Sequence, residues 1–219
     1  MKAKEPYQEL TKFKADLQAR VKKEFIRFTI VGFDELNVPM AKDITKAAYQ
    51  RLWNANMRDF RRIAREGRDF AKGMLTESEK KRISDLDLAL IIAFVLTNYN
   101  IVTGYRYDSE WERKRMRYTE ILLGAKESND RQTLNEMSKK NAGLIISQSM
   151  QGAIDIEDEA MKRVYKKAGI KKVKWVTEHD PKVCTECRIR DGHIYPIDRV
   201  PPKPHLNCRC HIIPYRETP

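Results

Sequence analysis

All four cysteines and all four histidines of this 219-residue chain lie from His179 onward, with CTEC at Cys184 to Cys187 and PHLNCRC at Pro204 to Cys210. Thiols scattered through a core would not crowd in this way. Concentrated soft ligands dictate a small region whose fold depends on a cross-link, because a core of about fifty residues rarely buries enough apolar surface to stand alone. Over the whole chain 41% of the residues are hydrophobic, enough for a sizeable core elsewhere.

The chain changes character near Gly169. Before it the pattern is helical, with Pro6 and Pro39 as the only prolines; after it come Pro201, Pro202, Pro204 and Pro214 and short β-branched runs. One helix is expected from about Glu5 to Phe28, with Leu10, Phe13, Leu17 and Val21 stepping by three and four. A second is expected from about Met40 to Lys72, with Gly67 as a point where it can break. TESE, Thr76 to Glu79, fits a capping box and is expected to open the apolar helix through Leu96. A charged helix from Tyr107 to Ala125 and a long one from Arg131 to Ala168, stopped by Gly169, complete this part.

After Gly169 the period becomes two. KKVKWVTE sets Val173, Trp175 and Thr177 against charged neighbours, as in a half-buried strand. RDGHIYPI carries a turn signal at Asp191-Gly192 before a short strand, and CRCHIIPY gives a third. The expected fold is mainly α: a helical region at 1–104, long helices at 105–169 leading into the tail, and a small β-rich, zinc-stabilised α+β module at 170–219.

The longest apolar run, LALIIAFVL from Leu88 to Leu96, is about half of the roughly 20 residues a bilayer requires and reads as a buried helix, not a span. The first residues, MKAKEPYQELTKFKADLQ, have no apolar stretch behind their basic start, so a reducing cytosol is expected. There, clustered cysteines point to a metal site before a disulfide. Cys184-x-x-Cys187 brings two thiolates to one side of a turn, and His205-x-x-Cys208-x-Cys210 offers three donors for two remaining corners around one structural zinc ion. The set read first is Cys184, Cys187, His205 and Cys208, with Cys210 in place of His205 as the alternative. Thiols packed in a small core, or a redox pair, are the competing readings. His179, Asp180, His193 and His211 show no spacing diagnostic of hydrolysis, and no enzymatic activity is expected.

The formal net charge is +12, and from Met161 to Pro219 fourteen Lys and Arg face six Asp and Glu. Lys166, Lys167, Lys171, Lys172 and Lys174, in KRVYKKAGIKKVK, form a basic segment suited to phosphate contact. A solvated helix end is the plainer reading. Neither a helix-turn-helix nor an aromatic stacking platform accompanies it, so sequence-specific reading of DNA is not expected.

The stretch from Lys174 to Tyr215 resembles the signature of the Mu F-like minor head proteins of tailed bacteriophages, also called head morphogenesis proteins. The likeness rests on the Trp175 strand, Asp180, the pair Cys184 and Cys187, Asp191-Gly192, and the ending His205-Leu206-Asn207-Cys208-Arg209-Cys210. A looser helical likeness reaches back to about Tyr105. The resemblance implies a virion component of the phage head or portal region, present in the bacterial cytoplasm during assembly, with portal or capsid proteins as partners and packaged DNA as a further contact. It implies neither a membrane partner nor a small-molecule substrate. The competing class is a stand-alone nucleic-acid-binding zinc protein or, further off, a zinc-finger nuclease.

Overall fold

The computed structural model describes residues 8–30, 37–205 and 208–217. The expected helix start at Glu5, and Leu206 and Asn207 of the carboxy-terminal motif, lie outside them. Six α-helices are described: α1 (Gln8–Ile30), α2 (Val38–Gly73), α3 (Glu77–Lys80), α4 (Asp85–Glu127), α5 (Arg131–Lys167) and α6 (Thr185–Arg190). Three strands, β1 (Lys172–Val176), β2 (Ile194–Pro196) and β3 (His211–Tyr215), form one antiparallel sheet in the order β2-β1-β3. The chain is mainly helical with a small carboxy-terminal sheet.

Three helix boundaries differ from the sequence expectation. The capping box forms as expected, Thr76 Oγ1 accepting from the Glu79 N–H at 3.3 Å and Glu79 Oε2 from the Thr76 N–H at 2.8 Å, but it opens only the single turn of α3. The apolar helix starts one signal later, where Ser84 and Asp87 cap each other's backbone N–H groups at 3.0 and 3.1 Å. That helix then runs unbroken through the charged segment expected as a separate helix. Nor does α2 break at Gly67, where a Cβ would lie 2.6 Å from the Glu157 carbonyl oxygen of α5. The glycine there serves close helix approach.

Two compact units divide the chain, and α1, α2, α4 and α5 contribute segments to both. One comprises residues 12–59 and 98–149. Its core holds Phe13, Leu17, Leu52, Tyr118, Leu122 and Ile145, with buried polar pairs Thr45–Thr119 (3.0 Å) and Asn56–Ser149 (2.9 Å). Such pairs fix which helical turns face one another, since a slip would strand a further buried hydroxyl or amide N–H.

The other comprises 1–11, 60–97 and 150–219, so residues 170–219 share a compact unit with parts of α2, α4 and α5. α5 ends in a Schellman motif, with the Ile170 N–H on the Tyr165 carbonyl and the Gly169 N–H on the Lys166 carbonyl, both at 3.0 Å. Gly169 takes φ +84°, the left-handed value this motif requires. β1 follows and alternates as expected: Val173 and Trp175 are buried, Lys172 and Lys174 exposed. Tyr165 donates its hydroxyl to the Ile212 carbonyl of β3 at 3.2 Å, and Arg216 grips Glu79 through two hydrogen bonds of 2.9 and 2.6 Å. Of the apolar run in α4, Leu88, Ile91, Ile92, Val95 and Leu96 are buried, whereas Leu90 and Phe94 are exposed, so one face only is covered. No helix among the described residues is long and apolar enough to cross a membrane.

Candidate metal centre

The CxxC pair is shaped by a helix start. Asp180 Oδ1 accepts the Lys182 N–H at 2.9 Å, closing a turn, and Cys184 then stands in extended conformation as the cap of α6. Its Sγ accepts the Cys187 N–H at 3.3 Å, the role Ser or Asp usually fills. Cap and third helical position face the same side, which is why two residues of loop and turn deliver both sulfurs to one place. Cys187 is buried and Cys184 half-buried.

The second ligand group lies in the segment leading into β3. Cys208 and Cys210, two residues apart, are both buried, as a shared facing in extended chain predicts, though they precede the strand and are not part of it. Three basic side chains hold this segment. Lys203, whose side chain is 3% exposed, pairs with Asp158 of α5 at 3.3 Å and donates to the Cys210 carbonyl. Arg190 of α6 donates to the Pro202 carbonyl at 2.7 Å. Arg209, between the two cysteines, makes two 2.7 Å hydrogen bonds to Asp180. Asp158 and Lys203 carry no sequence signal, because their pairing exists only in the folded chain.

These elements bring all five expected donors into two overlapping triads. The donor atoms of Cys184, Cys187 and His205 lie within 4.8 Å of one another, as do those of Cys187, Cys208 and Cys210. Cys187 belongs to both. A tetrahedral zinc ion with bonds of about 2.3 Å to sulfur and about 2.0 Å to imidazole sets sulfur–sulfur edges of about 3.8 Å and sulfur–nitrogen edges of about 3.5 Å. The Cys187–Cys208 sulfurs are 3.6 Å apart, and Cys187 Sγ is 3.5 Å from His205 Nε2. The donors present fit a metal ion of this size and softness. All four cysteines are free thiols, and 3.6 Å is far from the roughly 2.05 Å of a disulfide.

The thiols hold one another's charge apart. Burial pushes Cys187 up to about 12. The Cys210 thiol, donating to Cys208, pulls Cys208 down to about 5 against its own burial, and Cys210 is pushed up by that same neighbour and by burial. The Cys187 N–H holds Cys184 below its ordinary value. A buried group of this kind accepts several thiolates only when a cation compensates them, so metal binding here must release protons.

The remaining histidines do not join the cluster. His179, at φ 53°, sets Nδ1 3.5 Å from Asp191 Oδ2; His193 is exposed; His211 packs edge-on against Phe70, and burial lowers it to about 4, which leaves it neutral at pH 7. Among the described residues, the groups of three or more potential ligands are the two triads.

The basic segment is partly spent within the chain. Lys166 pairs with Asp198, Lys167 with Asp87 at 3.0 Å and Lys172 with Glu217 at 2.5 Å, while Lys171 and Lys174 are exposed. Exposed pairs of this kind are weak and screened by salt, so they lower the local potential without locking the lysines.

Residues 107–213 match the family model described as Phage Mu protein F like protein. All five sulfur and imidazole donors fall inside that match. No curated protein and no solved structure matches the chain.

Proposed function

We propose, from the match of residues 107–213 to the family model described as Phage Mu protein F like protein, that the chain is a phage head-related protein of that family and, more finely, a minor head protein acting in head assembly. The observation that carries the proposal is the coincidence of the family region with the donor cluster, since the part of the chain that matches the family model also carries the residues that could hold a metal ion. The helices provide the docking surface for portal or capsid protein. One zinc ion, held from among Cys184, Cys187, His205, Cys208 and Cys210, keeps α6 and the segment before β3 together. The role is structural, not catalytic: a thiolate-rich set with more donors than corners leaves no position reserved for a reacting water.

DNA is a secondary partner in this reading. Lys171 and Lys174 would meet phosphate first, with Lys166, Lys167 and Lys172 exchanging their carboxylate partners for it at low salt.

Co-expression of the untagged chain with the portal protein of its own phage tests the reading. Co-purification in a defined ratio, surviving about 0.3 M salt, supports it, because contacts made only through exposed charges are screened at that strength. Failure to associate with portal or capsid protein, together with tight, salt-dependent binding of duplex DNA, would overturn it in favour of a stand-alone nucleic-acid-binding zinc protein.

A further inference from the structure

The carboxy-terminal part of α2 presents a row of cations. Arg61, Arg65, Arg68 and Lys72 step by four, three and four, which places them within an arc of about 60° on the helix surface and along about 16 Å of its axis. Phe60, Ile63, Ala64, Phe70 and Ala71 take the buried side. Arg61 and Arg65 are exposed and, among the described residues, make no hydrogen bond or ion pair. Arg68 meets the exposed Asp69 at 2.7 Å, and Lys72 lies 3.8 Å from Asp85, whose side chain is fully exposed. Salt screens pairs of that kind, and a phosphate can displace the carboxylate. Glu66, the other acid of this stretch, is buried and accepts the backbone N–H groups of Gln8 and Glu9 at 3.0 and 2.8 Å, so its charge is taken up on another side of the helix.

We propose that this face of α2 binds the phosphate backbone of duplex DNA. The inference deepens the DNA part of the reading above and places a contact outside the family match, which begins at residue 107. The chemistry of the row selects the partner. Its arc holds no apolar side chain, whereas a protein interface is anchored by apolar and aromatic residues at its centre, and a helix lying in a membrane surface needs an apolar face to insert. A row made only of cations suits a partner whose charge repeats evenly along a rigid line, and guanidinium groups match phosphate oxygens in pairs. Arg61 and Arg65 are also less committed than Lys166, Lys167 and Lys172, each of which already has a carboxylate partner. Contact is with the backbone, so binding does not depend on base sequence.

The test is titration of short labelled duplexes of unrelated sequence with the full-length chain, read by fluorescence anisotropy between about 0.05 and 0.2 M salt. The variant Arg61→Gln/Arg65→Gln/Arg68→Gln should weaken binding to every duplex by about tenfold or more and reduce the slope of log K against log salt by about 2 to 3, one phosphate contact per arginine. Arg61→Lys/Arg65→Lys/Arg68→Lys should keep most of the slope, and far-UV circular dichroism should show the helices intact in both. A wild-type chain that does not bind duplex DNA, or a glutamine variant with unchanged affinity and slope, would overturn the proposal. So would loss of portal association in the glutamine variant with DNA binding retained, which would make the row a protein contact. A wild-type chain that binds DNA through this row yet ignores portal and capsid protein would remove the head-assembly reading and leave the DNA contact standing.

Discussion

Arg209 reaches back to Asp180, its guanidinium making two 2.7 Å contacts with the carboxylate. Asp180 closes the turn that sets up Cys184, and Arg209 separates Cys208 from Cys210, so one ion pair joins the two halves of the donor set. Each side chain is held for its position: Asp180 lies below its ordinary carboxylate value because of Arg209.

Removing the pair should loosen the metal without removing a ligand. Asp180→Ala and Arg209→Ala are each expected to weaken zinc binding about tenfold, the lower end of the range for groups that orient metal ligands, because both partners are partly exposed. Chelator competition measures this. Unchanged affinity in both variants would reduce the pair to a surface contact.

Gly67→Ala should destabilise the chain by about 1–3 kcal/mol, since the new methyl group would sit 2.6 Å from the Glu157 carbonyl and a helix backbone must move to admit it. Gly143→Ala in α5 is the control. Nothing lies within 4 Å of that position, and removing glycine flexibility there should stabilise by about 0.5–1 kcal/mol. Thermal melts of the two variants should therefore shift in opposite directions, and shifts of the same sign would contradict the close approach.

The Glu79–Arg216 link should give stability a dependence on pH. Arg216 holds the Glu79 carboxyl at about 2, against an ordinary value of 4.5, with the Thr76 backbone N–H adding to the effect. A group depressed in the folded state contributes its full stabilisation above its unfolded value and loses it as pH falls toward the folded one. The gap in melting temperature between the wild-type chain and Glu79→Gln should be widest above pH 4.5 and close as pH approaches about 2. Given the exposure of Arg216, the gap corresponds to about 1–2 kcal/mol. A gap independent of pH would show that the carboxylate charge is not what matters there.

Chelation should act locally. With the metal removed under reducing conditions, amides of α6, β2 and the segment from Cys208 to Cys210 are expected to lose hydrogen-exchange protection, while the helices at 12–59 and 98–149 keep theirs. Acidification should release the metal as well, because protons compete for the thiolates. Protection lost uniformly along the chain would mean that the metal stabilises everything at once.

What the sequence made legible was whatever depends on near neighbours. The Gly169 stop, the Thr76 box and the alternation of β1 follow from local backbone needs and appear as expected. The Thr76 box reads as the start of the apolar helix, but that helix begins at a second cap of the same kind, Ser84 with Asp87, which follows the same local rule and went unread. Gly67 read as a weak point because its reason, the Glu157 backbone, lies ninety positions away. The donors were visible from spacing. Their sharing of Cys187 was not, since it depends on where Lys203 and Arg190 pin the intervening segment. Nor could the charge of Lys166, Lys167 and Lys172 reveal that carboxylates distant in sequence, among them Asp87, would meet them.

The strand order also sets a schedule for synthesis. β1 is made first yet lies in the middle, with neighbours that emerge later on both edges. Until β3 has left the ribosome, Trp175 lacks the Ile212 it will pair with, and Cys187 lacks the inner half of its donor set. A chain that has not yet delivered β3 therefore leaves one edge of β1 open, and an open edge can pair with a second molecule. Capture of an ion by the inner triad would have to wait for Cys208 and Cys210, which leave the ribosome just ahead of β3.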